Sequence, residues 1–482
     1  MNVVLKLKEK YKTIPVAAKV SIWFALCSIF QKGISFITVP LFTRLMTTEQ
    51  YGQFSVYQSW HSIIAIFATL NLSYGVFNNG MTKYPDDRDR YISSMQGLST
   101  IVTMALLTIY LPLQGYINDL TGLSTILMLL MFADFLTAPA LAFWSAKQRY
   151  EFKYVALVAI TLGMSVISPM IGLIAVVNSS KKGIARIVTF TLVNICVGMF
   201  FYIFNAIKGK KFFVKKYWSF ALRFNIPLIP HYLSAIVLAQ SDKVMIEHFF
   251  GETEVAIYSV AYSLSLLMNI VTNSINSSYV PWTYQKLNEN NTVALKKTTN
   301  LLLLGIAAVS ILPVMLAPEL MWIMAPPEYI EAIWVIPPIS TSVYFMFLYS
   351  LFGNIEFYFE KNKFVMMASI IAASTNIVLN ALLMPILGYM AAGYTTMVCY
   401  ILFAVAHYIF MRKVCNEKLN VKSVYSDKTI FLISFAYLGC TALMMCTYNL
   451  TILRYAILLI AMIVAIIKRK NIIGFIRTLK NK

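Results

Sequence analysis

Apolar residues run along this chain in blocks of about 20, separated by short stretches rich in charge, Pro or Gly. A helix needs roughly 20 mostly apolar residues to cross the hydrocarbon of a bilayer. Each block therefore predicts a membrane-spanning helix. Fourteen spans follow: 17–41, 52–75, 91–113, 121–144, 154–177, 184–207, 219–241, 255–279, 300–324, 332–355, 364–384, 388–411, 428–448 and 450–467. At about 20 residues each they take ~280 residues, which leaves little chain for a soluble domain. The pattern predicts an all-α polytopic membrane protein.

Composition sharpens the picture. Of 482 residues, 59% are hydrophobic and only 12% charged, whereas charged residues approach a quarter of a soluble protein. Soluble enzymes, nucleic-acid-binding domains and secreted disulfide scaffolds are excluded as the main reading. The net charge of +20 would suggest nucleic acid in a soluble chain, but here it follows the rule that Lys and Arg gather in cytoplasmic loops. With fourteen spans, 33 of the 40 Lys and Arg fall on the side of both termini, 6 on the other, and Lys32 lies within a span. This split places both termini in the cytoplasm. The first apolar block is too long for a signal-peptide core and is expected to be retained. The six cysteines form no CxxC pair and sit mostly in apolar segments, so neither a disulfide nor a metal site is expected. The four histidines are scattered without ligand spacing, and no GxxxxGK[ST] phosphate loop is present. Loops are short on both faces, too short to house the large external loop of a membrane polymerase or ligase.

A faint internal repeat runs through the chain. Thr48-Glu49 precedes Phe54-Ser55-Val56 at the second span, and Thr253-Glu254 precedes Tyr258-Ser259-Val260 at the eighth. The spans before them carry matching breaks, Gly33 and Pro40 in the first, Pro227 and Pro230 in the seventh. Repeats with paired Gly/Pro interruptions point to the substrate site of a transporter.

Charge within a span costs at least ~2.5–3.5 kcal/mol and marks function. Lys32 shares a small, polar helix face with Ser21, Ala25, Ser28 and Ser35, which should look into a wet cavity. Asp134, inside span 4, falls at similar depth. Two readings of Lys32 stand: a counter-charge for an anionic substrate, or a structural ion pair with Asp134. Asp134 itself is expected to serve in an ion pair or gate, and so is Asp242. Span 8 carries Tyr258, Tyr262, Ser265, Asn269, Thr272 and Asn276 at steps of three and four, and span 11 carries Ser369, Ala373, Asn376 and Asn380. In lipid such stripes either bond neighbouring helices or line water. The sequence favours a lumen wall able to hydrogen-bond a hydroxyl-rich substrate, with Tyr258, Tyr262, Asn269, Asn276, Asn376 and Asn380 as contacts. Arg44, Arg223 and the Asp242-Lys243 pair sit at the ends of the two broken spans, where Arg44, Arg223 and Lys243 are candidates to meet an anion.

Pro40-Leu41-Phe42-Thr43-Arg44 with Glu49, Tyr51 and Gly52, and the stretch from Ile226-Pro227 through Asp242-Lys243 to Ile257-Tyr258-Ser259-Val260, resemble signatures of bacterial polysaccharide-repeat exporters, the Wzx-type flippases. Asn376 and Asn380, followed by Leu387-Gly388 and Ala392-Gly393, are similar to a pattern of the wider multidrug/oligosaccharidyl-lipid/polysaccharide exporter superfamily. Lys in place of Arg after Asp242 departs from some relatives and loses the planar fork. The resemblance implies two pseudo-twofold-related six-helix bundles, 1–210 and 211–415, with two further helices and a cytoplasmic tail in 416–482. It implies a bacterial inner-membrane flippase, not an enzyme. The cargo implied is a polyprenyl-diphosphate-linked oligosaccharide repeat, moved to the outer leaflet by alternating access for O-antigen, capsule or similar assembly. Membrane lipid and the polysaccharide polymerase and chain-length machinery are the implied partners, without nucleic acid. No cofactor or metal is expected, and coupling to a proton or sodium gradient stays open. A lipid-linked peptidoglycan-precursor flippase and a cation-coupled multidrug exporter of the same superfamily remain as alternatives.

Overall fold

The computed structural model describes residues 16–467; the Lys-rich ends counted above lie outside the described residues. Those residues are helical throughout, without a strand. The helices of the first part are α1 (Val16–Leu45), α2 (Thr48–Thr69), α3 (Gly75–Lys83), α4 (Arg88–Thr121), α5 (Thr125–Tyr150), α6 (Val155–Val177) and α7 (Lys182–Gly209). A short α8 (Lys215–Asn225) and a 3-10 turn (Ile226–Leu228) lead into the second part. There α9 (Ile229–Phe250), α10 (Glu252–Ser265), α11 (Met268–Asn288), α12 (Thr292–Met315), α13 (Ala317–Met324), α14 (Ile336–Tyr358), α15 (Asn362–Leu387) and α16 (Ala391–Leu419) follow. The chain continues with α17 (Asp427–Cys446) and α18 (Thr451–Ile467).

Among the described residues twelve helices are long and apolar enough to cross a membrane. Both remaining segments of the fourteen expected are helical. One is α2, which carries Glu49, Gln50, Gln53, Gln58 and His61, and the other is α18, of 17 residues. The protein is a multi-pass membrane protein.

Local chemistry sets the helix boundaries. Thr47 caps α2, accepting a bond from the Gln50 amide at 3.3 Å while the Gln50 side chain accepts from the Thr47 amide at 3.2 Å. Two orphan donors are thus satisfied reciprocally. Pro227 lies in the 3-10 turn between α8 and α9, where a missing N–H costs nothing. Pro40 instead sits inside an unbroken α1, so of the two expected breaks only the one in span 7 interrupts its helix.

Helices of the first part meet those of the second along α2, which lies against α9 and α10. The contact is close because Gly52 has no side chain: a Cβ there would stand 1.7 Å from the Glu252 carbonyl oxygen. Ser59 of α2 also donates to Gln240 of α9 at 3.1 Å. At the Leu45 end of α1, Thr43 donates to the Met324 carbonyl at 2.8 Å. Lys182 donates to the Leu45 carbonyl at 2.7 Å. Thr43 and Gly52 thus tie the two parts together at this end, while the Lys182 bond lies within the first part. The core of the second part gathers Leu303, Tyr344, Phe347, Leu351 and Phe352, and Tyr425 and Tyr437 pack into it. Arg454 and Tyr455 of α18 both bond Glu319 of α13, the tyrosine at 2.8 Å.

Candidate functional site

A cavity of about 640 Å³ opens within the first part. Its wall is built from α1, α2, α5, α6 and α7, with Ser263 of α10 the one lining residue from the second part. Hydroxyls and amides dominate its polar surface: Ser35, Thr38, Ser145, Thr161, Ser165 and Ser168, with Gln31, Gln58 and Asn194. Two cations, Lys32 and Arg186, line it, and among the described residues no carboxylate does. Phe42, Met46, Tyr51 and Phe54 close in toward the Leu45 end of α1.

The helical period explains the wall. Lys32 and Ser35 on α1, Phe54 and Gln58 on α2, and Arg186, Phe190 and Asn194 on α7 recur at three or four residues, so each set shares one helix face. The expected face of α1 therefore reaches the cavity at Lys32 and Ser35. The side chains of Ser21 and Ala25 lie outside those described.

Lys32 forms no pair with Asp134. The Asp134 carboxylate meets His61 Nε2 at 2.7 Å, with the aspartate 1% exposed and the imidazole 24%. The pairing partner of Asp134 is thus one of the four histidines whose scattered spacing gave no role in the sequence.

The expected lumen stripe of span 8 is not one continuous face. The helix breaks at Leu266–Leu267 between α10 and α11, which resets its phase. Tyr258 is fully buried and donates to Asp242 Oδ2 at 2.5 Å. Tyr262 stacks on Tyr258 at 5.8 Å. Ser265 bonds the Ile336 carbonyl at 3.3 Å, and Asn276 donates to Ser350 at 3.0 Å. Asn269 is half-buried, and neither it nor any other member of the stripe lines the cavity. The residue that does, Ser263, lies on the other side of α10.

Asn376 and Asn380 of α15 are both fully buried, away from the cavity, in a cluster around Asp242. Asn380 donates to Asp242 Oδ1 at 2.8 Å, and Thr396 donates to Oδ2 at 2.8 Å. Ser241 donates to Asn376, which in turn donates to Thr396 at 3.0 Å. Thr395 bonds Asn380. Asp242 and Lys243 were expected beyond the end of span 7. They lie instead well inside α9, which runs on to Phe250. Lys243 reaches Gln240 at 3.4 Å and sits 5.1 Å from the Tyr262 ring.

Arg44 likewise belongs to α1, and its guanidinium is spent on backbone. It donates to the carbonyls of Pro40 at 3.1 Å, Trp322 at 3.2 Å and Ile323 at 3.1 Å. Arg223 is exposed on α8. Neither lines the cavity. Of the expected anion-binding residues, the structure brings Lys32 alone to the cavity wall and adds Arg186, which the sequence reading had counted among the charges of the outer side. The four-residue steps from Arg186 to Phe190 and Asn194 were the available signal.

This helical architecture around a cavity is that of a membrane transporter. The chain belongs to the polysaccharide biosynthesis protein family, whose model matches residues 17–286. The MatE family model also matches, over residues 227–382. A protein of the Lsg locus of Haemophilus influenzae is 24% identical over 372 residues, covering 73% of this chain and 88% of that protein. Among solved structures, the lipid II flippase MurJ in an inward closed conformation superposes with a TM-score of 0.71 at 16% identity, covering 94% of this chain and all of that one. An inward-facing multidrug resistance MATE family transporter of the MOP superfamily superposes at 0.57 and 13% identity, covering 83% and 97%. The fold is therefore that of the exporter superfamily named from the sequence motifs.

Proposed function

We propose that this protein flips a polyprenyl-diphosphate-linked oligosaccharide repeat across the bacterial inner membrane for surface polysaccharide assembly. The observation that carries the reading is the cavity in which Lys32 and Arg186 stand among hydroxyls and amides, with no carboxylate among the described lining residues. A diphosphate loses its hydration on entering hydrocarbon, and the charge makes unaided passage prohibitive. A cationic, hydrogen-bonding chamber replaces that water, while the prenyl tail remains in lipid. Membership of the polysaccharide biosynthesis family supports the glycan, and the wall of Ser, Thr, Gln and Asn suits its hydroxyls. The same absence of carboxylates weighs against a cationic drug as cargo.

Movement follows from the architecture. The parts are held together at the Leu45 end of α1 by bonds between α1 and α13 and by the α2–α10 contact. Rocking one helix group on the other would break these contacts and expose the cavity to the opposite face. No covalent bond changes in this cycle.

Deletion of the gene tests the reading. A lipid-linked glycan repeat should accumulate on the inner leaflet, with surface polysaccharide lost. Normal surface glycan together with accumulated peptidoglycan precursor would assign the protein to that pathway instead.

A further inference from the structure

Between Glu151 and Asp242 the chain holds no Asp or Glu. Late in that stretch, where α7 passes into α8, six cations fall within sixteen residues: Lys208, Lys210, Lys211, Lys215, Lys216 and Arg223. All six are exposed. Among the described residues none of them forms an ion pair. Two rest near rings instead, Lys208 at 4.5 Å from the Phe204 centroid and Lys216 at 4.9 Å from that of Tyr84. Two carboxylates beside the segment are already taken. Asp87 accepts from Arg90 at 3.3 Å and from Tyr217 at 3.0 Å, and Asp89 accepts from Lys147 at 2.6 Å.

The backbone that carries these cations is fixed. A Cβ on Gly209 would stand 2.3 Å from the Asp89 carbonyl oxygen, and one on Gly97 2.2 Å from that of Phe212, so the connector is pressed onto α4. The Val214 amide donates to the Ser94 hydroxyl at 3.2 Å, and the Trp218 indole donates to the Ser94 carbonyl at 2.8 Å. Beyond it α8 buries Tyr217, Ala221 and Asn225 at steps of four, against α3 and α4. One face of α8 is thus spent on the first part of the protein, and Lys215, Lys216 and Arg223 keep to the exposed side.

Apolar side chains are exposed in the same place. Ile203 and Ile207 precede Lys208 on the outside of α7, and Phe212 and Phe213 follow Lys211 at 47% and 58% exposure. Exposed apolar residues at a span end face lipid, and aromatic rings gather at the headgroup level. The cations therefore begin where α7 leaves the hydrocarbon, on the side of the membrane that the charge split assigns to the cytoplasm. A basic segment with aromatic anchors at that depth matches the anionic phosphates of the leaflet. An acidic protein would meet the lysines but leave Phe212 and Phe213 in water, whereas a lipid offers phosphate to the first and acyl chains to the second.

We propose that residues 208–223 form a binding surface for anionic glycerophospholipid, with the lipid phosphate on the lysines and the chains against Phe212 and Phe213.

The test adds four probes to the purified full chain in a neutral detergent and counts bound molecules by mass spectrometry of the intact protein: dioctanoyl phosphatidylglycerol, dioctanoyl phosphatidylcholine, glycerol phosphate and farnesyl diphosphate. The phosphatidylglycerol should bind at least about tenfold more tightly than the phosphatidylcholine. Lys208→Gln, Lys210→Gln, Lys211→Gln and Lys215→Gln together should erase that margin. Lys296→Gln, Lys297→Gln, Lys418→Gln and Lys422→Gln together remove the same charge elsewhere and should preserve it. Phe212→Ser with Phe213→Ser should weaken both lipids. Equal affinities of the two lipids for the wild type overturn the proposal whether or not the variants fold, and leave an acidic protein as the partner of the lysines. Equal losses from the two lysine sets overturn it too, because net charge alone would then account for binding. Displacement of the phosphatidylglycerol by an equal concentration of glycerol phosphate would make this a site for soluble anions. Displacement by a lower concentration of farnesyl diphosphate would make it a surface for prenyl diphosphates, and either result overturns the proposal.

Discussion

Thr48 and Thr253 meet with their hydroxyl oxygens 3.4 Å apart. They are 205 residues apart in sequence and occupy equivalent places in the internal repeat, each just before a glutamate at the start of a helix. Equivalent residues that touch each other lie beside a two-fold relationship between the halves. The contact also lies at the end where Thr43 and Gly52 join the two parts. A Thr48→Cys, Thr253→Cys pair should oxidise to a disulfide, hold this end closed and abolish surface glycan, with export restored by reductant. Gel mobility and glycan staining read both effects, and full export by the oxidised protein would show that this end need not open.

Gly52 makes the same contact possible. Gly52→Ala places a methyl against the Glu252 carbonyl, where backbone must move. The expected cost is about 1–3 kcal/mol, seen as a lowered unfolding temperature in detergent. An unchanged melting curve would mean that α2 and α10 separate without penalty.

Lys32→Ala should abolish surface glycan without lowering the amount of protein in the membrane. The side chain lines the cavity and has no acidic partner there, so its removal leaves no buried charge unpaired. Normal surface glycan in this variant would reduce Lys32 to a bystander.

His61 and Asp134 should behave as a unit. His61→Ala leaves a buried carboxylate with neither oxygen bonded, because Oδ1 already lacks a partner, and should cost about 3 kcal/mol or more. Replacing both residues by apolar ones, His61→Phe with Asp134→Leu, should recover much of that loss. Additive effects in this double-mutant cycle would show that the two side chains do not interact.

Arg44→Ala should weaken export while leaving farnesyl diphosphate affinity unchanged. Its guanidinium caps the last carbonyls of α13, an interaction with a helix C-terminus worth about 0.3–1 kcal/mol. A matching loss of affinity would return Arg44 to the binding site.

The spans were legible because a bilayer demands long apolar runs, and nothing else in a protein produces them so regularly. Helix ends were less legible, since Arg44 and the Asp242-Lys243 pair continue their helices past the apolar run. The polar stripe of span 8 failed for a different reason. The turn at Leu266–Leu267 contains neither Gly nor Pro, so the periodicity carried straight through a break it did not signal. Asp242 gathers partners from 16 to 154 positions away, which no local pattern reports. Arg186 shares a helix face with Phe190 and Asn194, a signal the sequence carries at four-residue steps.

The cavity takes all but one of its lining residues from α1 to α7. On the flippase reading, the residues that meet cargo are then encoded almost entirely in the first stretch of the gene. A chimera that exchanges only that stretch between two such exporters would inherit the donor's sugar preference.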